Sequence, residues 1–144
     1  MNRILNKTSL VTALLLLGLS QSVLAGVAVV VNPDNSTSSL SKEQVAKIFL
    51  GKTKCFPNGS QVTPLDLQKD SSVRDKFYSK VVNKNESQLT SYWARKIFTG
   101  KGQPPRVLSD NSEMISNVSS IKGAIGYIDD SAVNSKVKVV FTLP

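Results

Sequence analysis

The sequence predicts an α/β fold in which one sheet carries helices on both of its faces. Two observations lead to this class. Short runs of β-branched and apolar residues alternate along the chain with segments in which apolar residues recur every three or four positions. The helical segments also begin at residues that cap helices well, and glycines follow two of them.

The first predicted strand spans 26–32, and its unbroken run GVAVVVN is typical of a strand buried on both faces, as in a parallel sheet. A helix follows it. We predict that Ser41 and Gln44 form a capping box at its start, and that Gly51 ends it. Its apolar stripe comprises Val45, Ile48 and Phe49.

The later elements follow the same two patterns. A strand over 61–67 contains Pro64, which favours an edge or irregular strand. Three more helices begin at 70–72, 87 and 110–111, and three more strands span 105–108, 123–128 and 136–143. The apolar stripes of these helices comprise Val73, Phe77 and Val81, then Leu89, Trp93 and Ile97, then Met114, Ile115, Val118 and Ile121. We find no internal repeat.

The first 25 residues predict a cleavable signal peptide. Arg3 and Lys7 precede the apolar run 10–19, and Val23-Leu24-Ala25 forms the cleavage site. The run is shorter than the roughly 20 apolar residues that a membrane-spanning helix needs, although an uncleaved N-terminal anchor remains an alternative. Cleavage leaves one domain, residues 26–144, that is periplasmic or secreted and does not span a membrane.

The composition argues against catalysis. The chain has no His, which excludes Ser-His and Cys-His nucleophilic schemes, and it contains neither a P-loop nor a GxGxxG sequence. A zinc site would depend on carboxylates alone, which is unusual. We therefore expect no enzyme activity, no metal and no cofactor. For Cys55, the only cysteine, we favour a buried or half-buried thiol over an exposed one that links two chains.

The charge balance bears on the partners. The full chain carries 18 Lys and Arg against 10 Asp and Glu, and cleavage lowers the net charge from +8 to +6. Export excludes nucleic acid as a partner. Because the lysines are scattered along the sequence, we favour a solvated surface with a mild preference for anions. Adhesion of the Lys-rich surface to anionic envelope lipid is an alternative.

Five segments occur in an order that resembles a known family. They are LSKEQVAKIFLGK at 40–52, PNG at 57–59, the helix start at 71–77, the Trp93 to Gly100 segment, and GAIGYI at 123–128. Together they resemble the periplasmic phosphate-binding proteins of ABC transporters. The resemblance implies a single lobe of the type II periplasmic-binding-protein fold, with a mixed, mostly parallel sheet and helices on both faces. Members of that family clamp their ligand between two lobes.

The resemblance also implies an anion site where the second helix begins. Family members carry Ser-Gly-Thr there and an Arg shortly upstream. In this chain Ser71, Ser72 and Val73 occupy the three positions, so the Thr hydroxyl is lost, and Lys69 replaces the Arg. These residues and Arg74 would hold phosphate or a similar oxyanion at the helix N-terminus. The alternative is that Asp70 or Ser71 only caps the helix.

The function that these observations predict is that of an exported, substrate-binding-protein-like domain. It would bind phosphate or a related oxyanion weakly, in connection with ABC-type phosphate transport. The alternative is a module for protein interaction or dimerisation, with no role in transport, that kept the fold of the lobe and lost tight ligand binding.

Overall fold

The computed structural model describes residues 26–144, and the predicted signal peptide lies outside the described residues. The strands are β1 (Val27–Val31), β2 (Thr63–Leu67), β3 (Arg106–Leu108), β4 (Ala124–Asp129) and β5 (Lys138–Leu143). The α-helices are α1 (Lys42–Phe49), α2 (Ser72–Phe77), α3 (Glu86–Phe98) and α4 (Asn111–Ser120). Within this part of the chain, no helix has the length and apolar character needed to cross a membrane.

The five strands form one sheet in the order β3-β2-β4-β1-β5. Strand β2 pairs in parallel with both β3 and β4, whereas β1 pairs antiparallel with both β4 and β5. Four of the five strands therefore point the same way, and β1 alone runs against them. The mixed, mostly parallel sheet that the resemblance implies is confirmed.

Strand β1 shows what an apolar run does and does not predict. All five of its residues are buried, as expected for a strand covered on both faces. The expectation of parallel pairing was wrong, because both of its neighbours run in the opposite direction. Burial depends on what covers the two faces of a strand, and that is independent of the direction of the strand.

Pro64 favoured an edge or irregular strand, and β2 does not lie at an edge, because β3 and β4 flank it on either side. Pro64 lies in β2 opposite Ile125 of β4, while the pairing with β3 begins only at Leu65. Since a proline cannot donate a hydrogen bond, it is tolerated at a position where one neighbouring strand has not yet begun.

Helices cover both faces of the sheet, as predicted. Successive residues of a strand point to opposite faces. In β4, Gly126 packs directly against Met114 of α4. The ring of the next residue, Tyr127, stacks at 4.0 Å on Phe77 of α2 and lies 5.8 Å from the ring of Phe49 of α1. Helix α4 therefore covers one face, and α1 and α2 cover the other.

The helix boundaries follow local chemistry closely. Ser41 and Gln44 form the predicted capping box of α1, and Asp110 caps α4. Helix α3 begins at Glu86, one residue before the predicted start at 87, because Asn85 and Gln88 form a capping box there. Helix α2 continues as a π-helical turn, Tyr78–Val82, that ends at Asn83 with a φ of 58°.

The prediction of a buried or half-buried thiol at Cys55 was wrong, because this residue is exposed. It forms an isolated antiparallel bridge with Gln61 across a turn, and its neighbour Phe56 is only 2% exposed. Adjacent residues of an extended segment point in opposite directions, so only one of the two can reach the core. The larger apolar side chain is the one that does.

We expect Gly126→Ala to lower the free energy of unfolding by about 1–3 kcal/mol, because a Cβ at this position would overlap the sulfur of Met114, which is fully buried. Chemical denaturation followed by circular dichroism measures this change. The matched control is Cys55→Ser, for which we expect a change within about 0.5 kcal/mol. An unchanged stability of the glycine variant would contradict the close packing of α4 on β4.

Candidate functional site

A buried carboxylate lies at the carboxyl end of β2, directly before the segment that leads into α2. Asp66 is 4% exposed. Its Oδ2 accepts a 2.8 Å hydrogen bond from the hydroxyl of Tyr78, and its Oδ1 accepts one from the hydroxyl of Tyr127. The backbone N–H of Leu67 donates a further bond of 2.8 Å to Oδ1. This carboxylate therefore ties β2 to β4 and to the turn that extends α2.

Arg74 is the cation of the same cluster. Its side chain is 7% exposed, and its Nε lies 3.5 Å from Oδ1 of Asp66. Its Nη1 donates to Oε2 of Glu86, the first residue of α3. The centre of its guanidinium lies 4.9 Å from the centroid of the Tyr78 ring. Arg74 thus joins α2 to α3, and its charge is balanced by two carboxylates.

The pKa values in the cluster follow from burial. Desolvation raises the pKa of Asp66 above its usual value, although the hydrogen bonds from Tyr127 and Tyr78 and the charge of Arg74 lower it. Burial, together with the nearby Asp66 carboxylate, also raises the pKa of both tyrosines, so both hydroxyls stay protonated as donors. Burial lowers the pKa of Arg74, but its pairing with Glu86 and Asp66 outweighs this effect.

The predicted site residues are neighbours in the sequence, but their side chains have different roles in the structure. The side chain of Ser71 caps α2 by accepting a 3.2 Å hydrogen bond from the N–H of Arg74. Ser72 is exposed and Val73 is half-buried. The Nζ of Lys69 lies 3.7 Å from Oε1 of Glu86, with 74% of its side chain exposed. Ser71 therefore caps α2, which is the alternative that the sequence left open for this segment. Arg74 forms ion pairs with Asp66 and Glu86.

Two cavities meet at Arg74 and Glu86. One, of about 760 Å³, is lined by Ser72 and Val73 at the start of α2. Its charged lining includes both cations and acids: Lys80, Lys84, Asp75, Glu86 and Asp129. The other, of about 360 Å³, is lined by Lys69 and by apolar side chains of α3. The start of α2 therefore opens onto a space large enough for a small ligand. Within residues 26–144, no group of three or more His, Cys, Asp or Glu side chains could hold a metal ion.

The cluster around Asp66 was not predicted from the sequence. Signals for it were present, since an acid in an otherwise apolar strand usually has a partner when it is buried. Arg74 and Tyr78 are four positions apart, which places them on one face of a helix. The contribution of Tyr127 depends on strand pairing between distant segments, and no local pattern shows it.

The fold is similar to part of the fold of solved substrate-binding proteins of phosphate ABC transporters. An ABC-type phosphate transport receptor from Vibrio cholerae matches 81% of this chain with a TM-score of 0.66 and 22% identity. A putative phosphate ABC transporter substrate-binding protein with bound phosphate, from Clostridium perfringens, matches 81% with a TM-score of 0.64 and 22% identity. PstS from Borrelia burgdorferi matches 81% with a TM-score of 0.59 and 15% identity.

The chain spans less than half of each of these neighbours: 45%, 44% and 47% of their lengths in the same order. It therefore corresponds to a part of them, as the resemblance to a single lobe implies. No protein-family model matches the chain, and no curated protein matches it in sequence.

We expect Asp66→Asn to destabilise the fold by about 1–3 kcal/mol, because an NH2 group replaces one of the two oxygens that accept hydrogen bonds from the buried hydroxyls of Tyr78 and Tyr127. The pH dependence tests the raised pKa of Asp66. Because this pKa is raised, the native chain binds the proton of the Asp66 carboxyl more tightly than the unfolded chain does. The stability that depends on Asp66 is therefore fully present below the unfolded pKa and falls as the pH rises through the folded pKa.

The free energies of unfolding of the wild type and of Asp66→Asn should be compared from acidic to neutral pH. The advantage of the wild type should shrink as the pH rises through that window. An advantage that grows with pH would mean that Arg74 lowers the pKa of Asp66 more than burial raises it, and would contradict this account.

Proposed function

We propose that this protein is an exported, periplasmic or secreted domain of the substrate-binding type that binds phosphate or a related oxyanion weakly, as one component of ABC-type phosphate uptake. The observation that carries the proposal is the start of α2, which opens onto a cavity in a fold shared with phosphate-transport proteins. The likeness to these proteins does not favour the alternative of an interaction module.

The proposed ligands are the backbone N–H groups and side chains at the start of α2. The N–H groups of Ser72 and Val73, the first two helical residues, have no acceptor within the helix. The hydroxyl of Ser71 already accepts a bond as the cap, but its own proton is free to be donated to an anion. Lys69 supplies a flexible positive charge at the edge of the site.

Charge balance is the reason why we propose weak binding. Two cations, Lys69 and Arg74, lie beside two carboxylates, Asp66 and Glu86, so the cluster as a whole brings little net positive charge. Asp70 is exposed beside the same helix start. An anion at this site would also remain partly solvated and screened by salt. We therefore expect dissociation constants near the millimolar range, which corresponds to about −4 kcal/mol.

A gain-of-function variant tests the site directly. Val73→Thr restores the hydroxyl that the resemblance implies at this position, with little change in side-chain shape. We expect it to tighten phosphate binding about tenfold, the effect of one good additional hydrogen bond to a charged group. Isothermal titration calorimetry with inorganic phosphate at low salt measures the change.

Two further variants provide the comparison. Ser72→Ala should weaken binding, whereas the matched control Ser91→Ala, also exposed but on α3 and outside the cavity, should not. Sulfate titrations show whether the site separates the two oxyanions. The absence of any heat with millimolar phosphate in both the wild type and Val73→Thr would overturn the proposal.

A further inference from the structure

Helices α1 and α3 end on hexapeptides that agree at five of six positions, a short repeat that was not predicted from the sequence. Residues 47–52 read KIFLGK, and residues 96–101 read KIFTGK. Both copies turn in the same way, with the glycine at a φ of 68° in α1 and 69° in α3. In both, the N–H of the final lysine donates a 2.9 Å bond to the carbonyl of the first, as in a Schellman motif.

The two copies differ in what surrounds their apolar residues. In α1, Ile48 is 2% exposed and Phe49 is fully buried. In α3, Ile97 is 46% exposed and Phe98 is 93% exposed. The local backbone is therefore the same, and the second copy presents its phenylalanine to solvent. A large aromatic side chain that is almost fully exposed between two lysines indicates an interaction surface.

The segments that carry the two copies hold the whole excess of positive charge of the described residues. Residues 44–65 contain three Lys and Arg, residues 87–109 contain four, and neither segment contains an acid. The remaining described residues carry nine basic and ten acidic side chains. The lysines that look scattered in sequence are therefore separated from the acids along the chain.

The fold brings the two acid-free segments together. The hydroxyl of Tyr92 and the Nζ of Lys96 both donate to the carbonyl of Leu50, at 2.6 and 3.1 Å. Lys54, Lys96 and Lys101 line one cavity of about 240 Å³, and no acidic side chain lines it. We define the basic surface as Lys52, Lys54, Arg95, Lys96 and Lys101.

An apolar strip adjoins the basic surface. Ile97 and Val107 line the same groove beside β3, and Val107 is 57% exposed on this edge strand. Phe98, the last residue of α3, follows Ile97 and is almost fully exposed three positions before Lys101. Positive side chains around exposed aromatic and aliphatic groups are the combination that binds anionic membrane surfaces, where the charges attract the headgroups and the apolar groups enter the interface.

We propose that the basic surface docks this protein on an anionic lipid bilayer, with Phe98 inserted at the level of the headgroups. Charge complementarity favours an anionic partner. The exposed Phe98 favours a bilayer over a soluble polyanion, because a polyanion would attract the lysines but would not bury the aromatic ring. The cations of the basic surface are not those of the oxyanion site at α2, although the groove that Ile97 and Val107 line is also lined by Lys69 and Arg74.

The experiment uses the full chain with Phe98→Trp. The wild-type emission, which comes from Trp93, is subtracted so that the difference reports the surroundings of the new indole. Vesicles of phosphatidylglycerol mixed with phosphatidylcholine should shift the emission towards the blue, vesicles of phosphatidylcholine alone should not, and high salt should abolish the shift. Adding Arg95→Gln and Lys101→Gln to this chain should weaken binding at least about tenfold.

The matched control carries Lys80→Gln and Lys136→Gln, two exposed lysines outside both acid-free segments, and should bind as the parent does. All variants share the same N-terminal segment, so a difference between them reports on this surface. An equal loss of vesicle binding in the two double variants would overturn the proposal. The absence of a blue shift with anionic vesicles would overturn it as well. Salt-sensitive binding to the anionic vesicles without a blue shift would also overturn it, because Phe98 would then not enter the interface.

Discussion

The buried carboxylate of Asp66 is the constraint on which the arrangement around α2 depends. A charge this far from water must be paired and hydrogen-bonded, because its desolvation costs several kcal/mol. Two tyrosine hydroxyls, one backbone N–H and the guanidinium of Arg74 meet that requirement. These groups come from β2, β4 and the helical segment after β2. The pairing therefore fixes where α2 begins relative to the sheet.

This use of Arg74 has a consequence for ligand binding. A guanidinium held by Asp66 and Glu86 positions two helices, but it brings little net charge to an incoming anion. What remains for the anion are the N–H groups at the start of α2, two serine hydroxyls and Lys69. The excess of positive charge lies elsewhere, around the ends of α1 and α3. The proposed oxyanion site and the proposed membrane-docking surface are thus built from different charges.

Local chemistry made much of this fold predictable, as the capping box at Ser41 and the burial of β1 show. The errors concern relations between distant segments: the direction of β1 and the exposure of Cys55. In the site, Ser71 was recognised as a possible cap, but the ion pairs of Arg74 were not, because they form across separate elements. The two similar hexapeptides at the ends of α1 and α3 also show that local structure does not determine burial, because Phe49 is buried and Phe98 is exposed.

The central claim is that an oxyanion binds where α2 begins. The most direct measurement is a titration of isotope-labelled protein with inorganic phosphate, followed by the NMR shifts of the backbone amides. The account predicts saturable shifts centred on the amides of 69–74, with smaller effects elsewhere. Shifts confined to the surroundings of Lys54, Lys96 and Lys101, or no saturable shifts at all, would contradict it.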